Sequence, residues 1–145
     1  MISQTGTHAL KALAALGGPG EGFLGASELA RQVKAPANYL GKLLRQLSRA
    51  GIVEGRKGGN GGFRLARRGS DIILFDALAP IEHLGRVNRC LLGRPRCNGG
   101  CAVHRGWAQV RDAYLDFLKT TTVADLAGDR PKKERAAEPA AGGIS

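Results

Sequence analysis

Apolar side chains recur at helical spacing in three segments of the first 50 residues. The spacing predicts helices over 5–16, 26–33 and about 36–50. The Gly-Gly-Pro-Gly run at 17–20 ends the first of them. The predicted apolar stripe of the first helix is Leu10, Leu13 and Leu16. The predicted buried stripe of the third is Tyr39, Leu40, Leu43, Leu44 and Leu47. Two short helices joined by a tight turn, the second longer and basic, are the outline of a helix-turn-helix.

The pattern changes after Gly51, where a helix would end. Residues 52–56 predict one strand, residues 57–61 a Gly-rich tip, and residues 62–66 a second strand, in which apolar and polar positions alternate. A basic β-hairpin directly after a recognition helix is typical of a wing. The glycines could instead suggest a phosphate-binding loop, but neither of the common Gly-rich nucleotide motifs is present.

Residues 71–84 predict a short strand that runs into a short helix broken near Pro80. Residues 101–119 predict the most regular helix of the chain. Its heptad-like apolar seam consists of Val103, Trp107, Val110, Tyr114 and Phe117. A second copy of the helix would cover such a seam, and packing against its own domain is the alternative. Thr122 and Asp125 have the spacing of a capping box that opens a last short helix.

These elements predict a mainly α fold with a small β-hairpin wing. A winged helix-turn-helix domain would occupy 1–84 and a cysteine loop 85–104. A dimerisation helix and a short terminal helix would occupy 101–127. Residues 128–145 are charged, rich in Pro, Gly and Ala, and nearly devoid of large apolar side chains, so the sequence predicts a disordered tail.

Charge is concentrated in the first half of the chain. The net charge is +10, and residues 1–70 hold 11 Lys and Arg against 3 Asp and Glu. Such a basic half favours a polyanion-binding module, although a generally basic protein would look the same by charge alone. No run approaches the roughly 18 apolar residues of a membrane span. Because Lys11 interrupts the first apolar stretch, no signal peptide is predicted either, and we expect a cytoplasmic protein without a membrane partner.

All three cysteines lie in one loop together with a histidine: Cys90, Cys97, Cys101 and His104. Thiolates and imidazole hold iron–sulfur clusters or zinc, and the glycines and proline between them let a short loop turn. A disulfide framework would leave one thiol over. Zinc and reversible oxidation of bare thiols remain alternatives. A catalytic Cys–His pair lacks any sign of a substrate pocket, so the sequence predicts neither an enzyme nor a small-molecule substrate.

The combination of motifs resembles the Rrf-type (IscR/NsrR-like) family of winged-helix iron–sulfur transcriptional regulators. The matching segments are Asn38-Tyr39-Leu40-Gly41-Lys42, residues 47–53, residues 58–63, the three cysteines and residues 121–126. The resemblance covers residues 1 to about 127. It implies a homodimeric bacterial regulator, expected to be a repressor, whose cysteines bind a [2Fe–2S] or [4Fe–4S] cluster.

The resemblance also implies a ligand set. Cys90, Cys97, Cys101 and His104 would hold the cluster, and this set of three cysteines and one histidine favours [2Fe–2S]. Thr7 stands where some members carry an acidic residue that supplies the fourth ligand from the partner subunit. His8 of the partner is therefore an alternative fourth ligand.

The predicted DNA contacts are Asn38, Tyr39, Lys42, Arg45, Arg56 and Lys57. The first three lie at the N-terminal end of the recognition helix, which usually enters the major groove of an operator. Arg45 would contact phosphates, and the two wing residues would reach the minor groove. We expect a regulator whose cluster senses redox state, nitric oxide or iron–sulfur status. The alternative is a zinc-stabilised or cluster-free thiol-switch module that acts through DNA or protein contacts.

Overall fold

The computed structural model describes residues 2–18, 22–59, 61–85, 91–92 and 101–128. Its first three helices are α1 (Gln4–Leu16), α2 (Ala26–Val33) and α3 (Ala37–Arg49). They match the three predicted helices to within about a residue at each end. Helices α2 and α3 pack against each other as a helix-turn-helix, and α1 packs across both.

The turn between α2 and α3 depends on a residue whose conformation the sequence did not predict. Lys34 ends α2 with φ 64° and ψ 52°, the left-handed region. The Ala35 N–H then donates to the Ala30 carbonyl at 3.0 Å. Pro36 is the N-cap of α3, so it lies just before the helix and not in its first turn. The left-handed Lys34 and the extended Pro36, two positions later, set the direction in which the recognition helix leaves the turn.

The wing consists of β1 (Val53–Arg56) and β2 (Gly62–Leu65), paired antiparallel. This confirms the predicted hairpin. Leu24 adds a third, single-residue strand, because its N–H and carbonyl exchange hydrogen bonds of 2.9 and 2.8 Å with Phe63. The bridge fixes the wing to the connection between α1 and α2.

The chain after the wing returns to the helical core. A 3-10 turn at Gly69–Asp71 precedes α4 (Leu74–Leu78), and α5 (Ala102–Thr120) and α6 (Val123–Gly128) follow the cysteine loop. Ile73, predicted within a short strand, forms only an isolated bridge with Thr122. The capping box is confirmed: the Thr122 N–H donates to Asp125 Oδ2 at 2.8 Å, and the Asp125 N–H donates to Thr122 Oγ1 at 3.2 Å.

The core of the described chain is wholly apolar. Its fully buried large side chains are Leu13, Leu29, Leu40, Leu44, Leu47, Val53, Ile72, Leu74, Leu78, Leu118 and Val123. The predicted stripe of α1 is confirmed at Leu13, but it did not include the buried alanines. Ala9, Ala12 and Leu13 are the buried face, whereas Leu10 and Leu16 are only half-buried. Small alanines let α1 approach its neighbours closely, so they occupy the positions that leucine spacing alone would not select.

Helix α5 buries one residue, Leu118. Its predicted seam divides into two rows with seven-residue spacing. Trp107 and Tyr114 are half-buried, and Tyr114 packs against the core. The other row remains open, with Val103, Val110 and Phe117 exposed by 44%, 50% and 51%. None of the helices in the described part of the chain combines the length and apolarity needed to cross a bilayer.

Gly62 provides a test of the wing bridge. Its φ is +136°, and a Cβ there would collide with the carbonyl oxygen of Leu24. We expect Gly62→Ala to lower the free energy of unfolding by about 2 kcal/mol through backbone strain and loss of the bridge. Gly59→Ala is the control, because its Cβ would meet nothing within 4 Å and its φ is not left-handed. Urea denaturation measures both variants, and equal stability would contradict this account.

Candidate nucleic-acid interface and cysteine loop

The recognition helix α3 has one apolar and one polar face. Asn38, Lys42, Arg45 and Arg49 are all exposed and follow one another at spacings of four, three and four residues. This spacing places them on one side of the helix. The opposite side is buried against α1 and α2. The structure therefore brings together on one surface the predicted contacts Asn38, Lys42 and Arg45.

Tyr39 differs from its neighbours because it is half-buried. Its hydroxyl oxygen lies 3.0 Å from Nδ1 of His8, which belongs to α1. The two rings meet edge to face, with centroids 5.4 Å apart and planes at 77°. No pattern in the sequence indicates this pair, since the two residues are 31 positions apart. From the sequence, His8 is expected to be either a satisfied or exposed residue of the first helix or a cluster ligand for a partner subunit, and the structure shows it paired with Tyr39.

The exposed face of the wing carries two arginines that share one aromatic ring. The guanidinium of Arg56 lies 4.2 Å from the centroid of Phe23, and that of Arg64 lies 4.6 Å from it. Arg64 Nε also donates to Glu54 Oε1 at 2.8 Å. No pattern in the sequence marks Phe23, because it lies in a glycine-rich connection without a repeat of apolar positions. Lys57, the other predicted wing contact, is exposed beside the tip.

The cysteine loop is described only at its C-terminal end. Cys101 is the N-cap of α5, and its Sγ accepts the backbone N–H of His104 at 3.2 Å. Both residues are half-buried and lie in the same first turn. Cys90 and Cys97 lie outside the described residues. Within the described ranges, no group of three or more His, Cys, Asp and Glu side chains could hold a metal ion. The thiol of Cys101 and the imidazole of His104 are chemically suited to a thiolate–histidine donor set, and they belong to the same helical turn.

Glu82 connects the segment before this loop to the start of α1. Its Oε1 accepts the backbone N–H of Ser3 at 2.8 Å and the Ser3 hydroxyl at 2.6 Å. Ser3 in turn caps α1 by accepting the Gly6 N–H at 3.0 Å. Burial, and secondarily the negative charge of Glu82, raise the pKa of Tyr114 on α5. One carboxylate thus acts on the start of α1 and on Tyr114 of α5.

Comparison with known proteins identifies the family. The sequence model of the Rrf2 family, described as "Iron-dependent Transcriptional regulator", matches residues 2–129. The chain belongs to the Rrf2 family. A protein of Aquifex aeolicus (strain VF5) named as an HTH-type transcriptional regulator is 32% identical over 87% of this chain and 90% of its own length. The HTH-type transcriptional regulator IscR of Vibrio atlanticus (strain LGP32) is 32% identical over 63% of this chain and 54% of its own length.

A solved structure of the same family confirms the winged-helix architecture. CymR (YrzC), named as the global cysteine regulator of B. subtilis, superposes with a TM-score of 0.78 at 26% identity. The match covers 90% of this chain and 98% of CymR. Rrf2 membership confirms the predicted class, a transcriptional regulator. Because the Rrf2 relatives include proteins named for different regulatory tasks, membership alone leaves the sensed signal open.

The aromatic support of the wing can be tested at Phe23. Each exposed cation–π contact contributes about 0.5–1 kcal/mol, so Phe23→Leu should lower the free energy of unfolding by about 1 kcal/mol. Phe23→Tyr keeps the ring, so it should retain nearly all of the stability that the Leu variant loses. In a chain that carries Arg56→Ala, the loss on Phe23→Leu should shrink. Urea denaturation gives the comparison, and equal stabilities of the Leu and Tyr variants would refute the role of the ring.

Proposed function

We propose that this Rrf2-family protein is a homodimeric repressor that binds operator DNA under the control of an iron–sulfur cluster. The observation that carries the DNA-binding part is the polar face of α3, which is exposed along the helix while the opposite face is fixed in the core. The excess of Lys and Arg in residues 1–70 supports the same partner. Helices of this kind dock in the major groove with their N-terminal end against base edges.

The roles of the individual side chains follow from their chemistry. Asn38 can make a bidentate contact with adenine, and Lys42 can contact guanine or a phosphate. Tyr39 adds one hydroxyl to the same end of the helix. Arg45 lies one turn further along, where phosphates are the expected partners. Lys57 and Arg56 would extend the contact to the minor groove beside the wing.

The exposed row of α5 supports the dimer. Val103, Val110 and Phe117 repeat every seven residues, and all are at least 44% exposed. An apolar row of this length on an exposed helix is covered economically by the same row of a second copy. Two copies would present two recognition helices to a two-fold symmetric operator, which a single short helix cannot read.

The cluster would be held by Cys90, Cys97, Cys101 and His104. Support comes from the donor set, three thiolates and an imidazole, and from the first turn of α5, which holds Cys101 and His104 together. This set favours [2Fe–2S], with [4Fe–4S] as the other cluster type. A cluster supplies a centre whose charge and integrity change with redox state, nitric oxide or iron–sulfur status. Cys101 and His104 belong to the helix with the open apolar row, so their positions affect the spacing of the two recognition helices.

DNA binding can be tested with the duplex that the wild-type protein selects from a randomised library, against a scrambled duplex of equal length. Affinity should fall steeply with salt, because phosphate contacts release counterions. Lys57→Ala should weaken binding to both duplexes and reduce the salt slope by about 1. Asn38→Ala or Lys42→Ala should instead reduce discrimination between them, by about 1–3 kcal/mol. Lys119→Ala, at the far end of α5, is the control. Salt-independent binding by the wild type would refute the interface.

Control by the cluster can be tested in anaerobic buffer. The comparison is between protein with its cluster, protein stripped of it, and His104→Ala, with His83→Ala as a histidine control outside the loop. We expect His104→Ala to lose iron and acid-labile sulfide readily while it remains a dimer, because one ligand is missing. Its affinity for the selected duplex should then approach that of the stripped protein. Equal affinities of all three forms would show that the loop does not control DNA binding. A colourless preparation that contains zinc would indicate a structural zinc site in place of the cluster.

A further inference from the structure

The contact between His8 and Tyr39 joins α1 to the first turn of the recognition helix. Nδ1 of His8 and the hydroxyl oxygen of Tyr39 are 3.0 Å apart, within hydrogen-bond distance. The perpendicular ring arrangement adds an edge-to-face contact to the polar one. Asn38 and Lys42 lie near Tyr39 on the exposed face of α3. Among the described hydrogen bonds, none joins either of them to α1.

His8 lies on a rigid part of the molecule. The next residue, Ala9, is fully buried, as are Ala12 and Leu13 further along α1. The N-terminal end of the helix is fixed by the Ser3 cap and by Glu82. The position of Nδ1 is therefore set by the helical core and not by a surface loop.

A fixed imidazole nitrogen limits what the tyrosine hydroxyl can do. A phenol has one proton to donate and also accepts hydrogen bonds. When Nδ1 accepts that proton, the lone pairs of the hydroxyl oxygen are left for an outside donor. When Nδ1–H donates, the hydroxyl proton is left for an outside acceptor such as a phosphate or a base edge. In both cases the oxygen has one position, and the entropy of ordering Tyr39 is already lost before a ligand arrives.

We propose that His8 is a positioning residue for DNA recognition, one that holds the Tyr39 hydroxyl in place for the operator without touching DNA itself. The inference rests on the proposed DNA-binding function, and it gives His8 a role within its own chain. Its effect should be confined to the duplex that the protein selects, because an ordered hydroxyl contributes to a specific contact and little to the general attraction of phosphates.

The test is a double-mutant cycle on the full-length dimer, read by affinity for the selected and scrambled duplexes. His8→Phe keeps a ring of similar shape and removes Nδ1. Loss of one hydrogen bond corresponds to about a fivefold weaker affinity for the selected duplex, with the scrambled duplex unchanged. His8→Asn places a polar atom near the position of Nδ1 and should restore part of the loss. In a chain with Tyr39→Phe, the further change His8→Phe should have no effect.

The free energy of unfolding separates positioning from a general loss of structure. If His8→Phe does not fold, His8→Asn and Tyr39→Phe carry the comparison, since Tyr39→Phe removes the same bond from the other side. A wild-type protein that binds no duplex would overturn both this inference and the proposed function. Two outcomes would overturn the role of His8 alone, provided that the wild-type protein binds the selected duplex. Either His8→Phe leaves the affinity unchanged, or it lowers the affinity equally in the presence and absence of the Tyr39 hydroxyl.

Discussion

The exclusion of polar side chains from the core is the constraint on which the rest of the molecule depends. In the described chain no polar or charged residue is buried, and no buried side-chain nitrogen or oxygen lacks a partner. Helix α3 must therefore direct its leucines inward, and its amide and cationic side chains are left on one exposed surface. Burial of these leucines fixes the rotation of the helix about its axis. The polar face is thus a consequence of the hydrophobic one, and the exposed polar residues of α3 need no polar contact to orient the helix as a whole.

The same core receives the chain on both sides of the cysteine loop. Before the loop, Ile72 and Leu74 are buried; after it, Leu118 and Val123 join them. Backbone hydrogen bonds of 2.9 Å connect these segments, from the Leu74 N–H to the Thr121 carbonyl and from the Val123 N–H to the Ile72 carbonyl. The C-terminal end of α5 is consequently anchored to the winged domain, while its N-terminal part, with Cys101, carries no buried residue. The loop thus leads into the end of α5 that carries no buried residue, and the core holds the opposite end.

The sequence predicts the regular elements well because their information is local. Helices α2 and α3 follow from apolar spacing bounded by turn residues, and the wing follows from alternation around a glycine-rich tip. The buried alanines of α1 could not be identified in this way, since the burial of such small side chains depends on how closely the neighbouring elements approach. Phe23 and Leu24 were missed because single residues in a glycine-rich connection carry no period. The His8–Tyr39 pair was missed for a different reason: contact between two helices distant in sequence is a property of their packing alone.

The two parts of the candidate site, the recognition helix and the cysteine loop, differ in the same respect. The side chains of the recognition helix are placed by the core, so a motif in the sequence was sufficient to locate them. Of the predicted cysteine loop, the structure describes residue 85, residues 91–92 and residues 101–104, and none of these belongs to the buried core. A winged-helix fold therefore does not determine the task of a regulator, which depends on the chemistry of its own side chains.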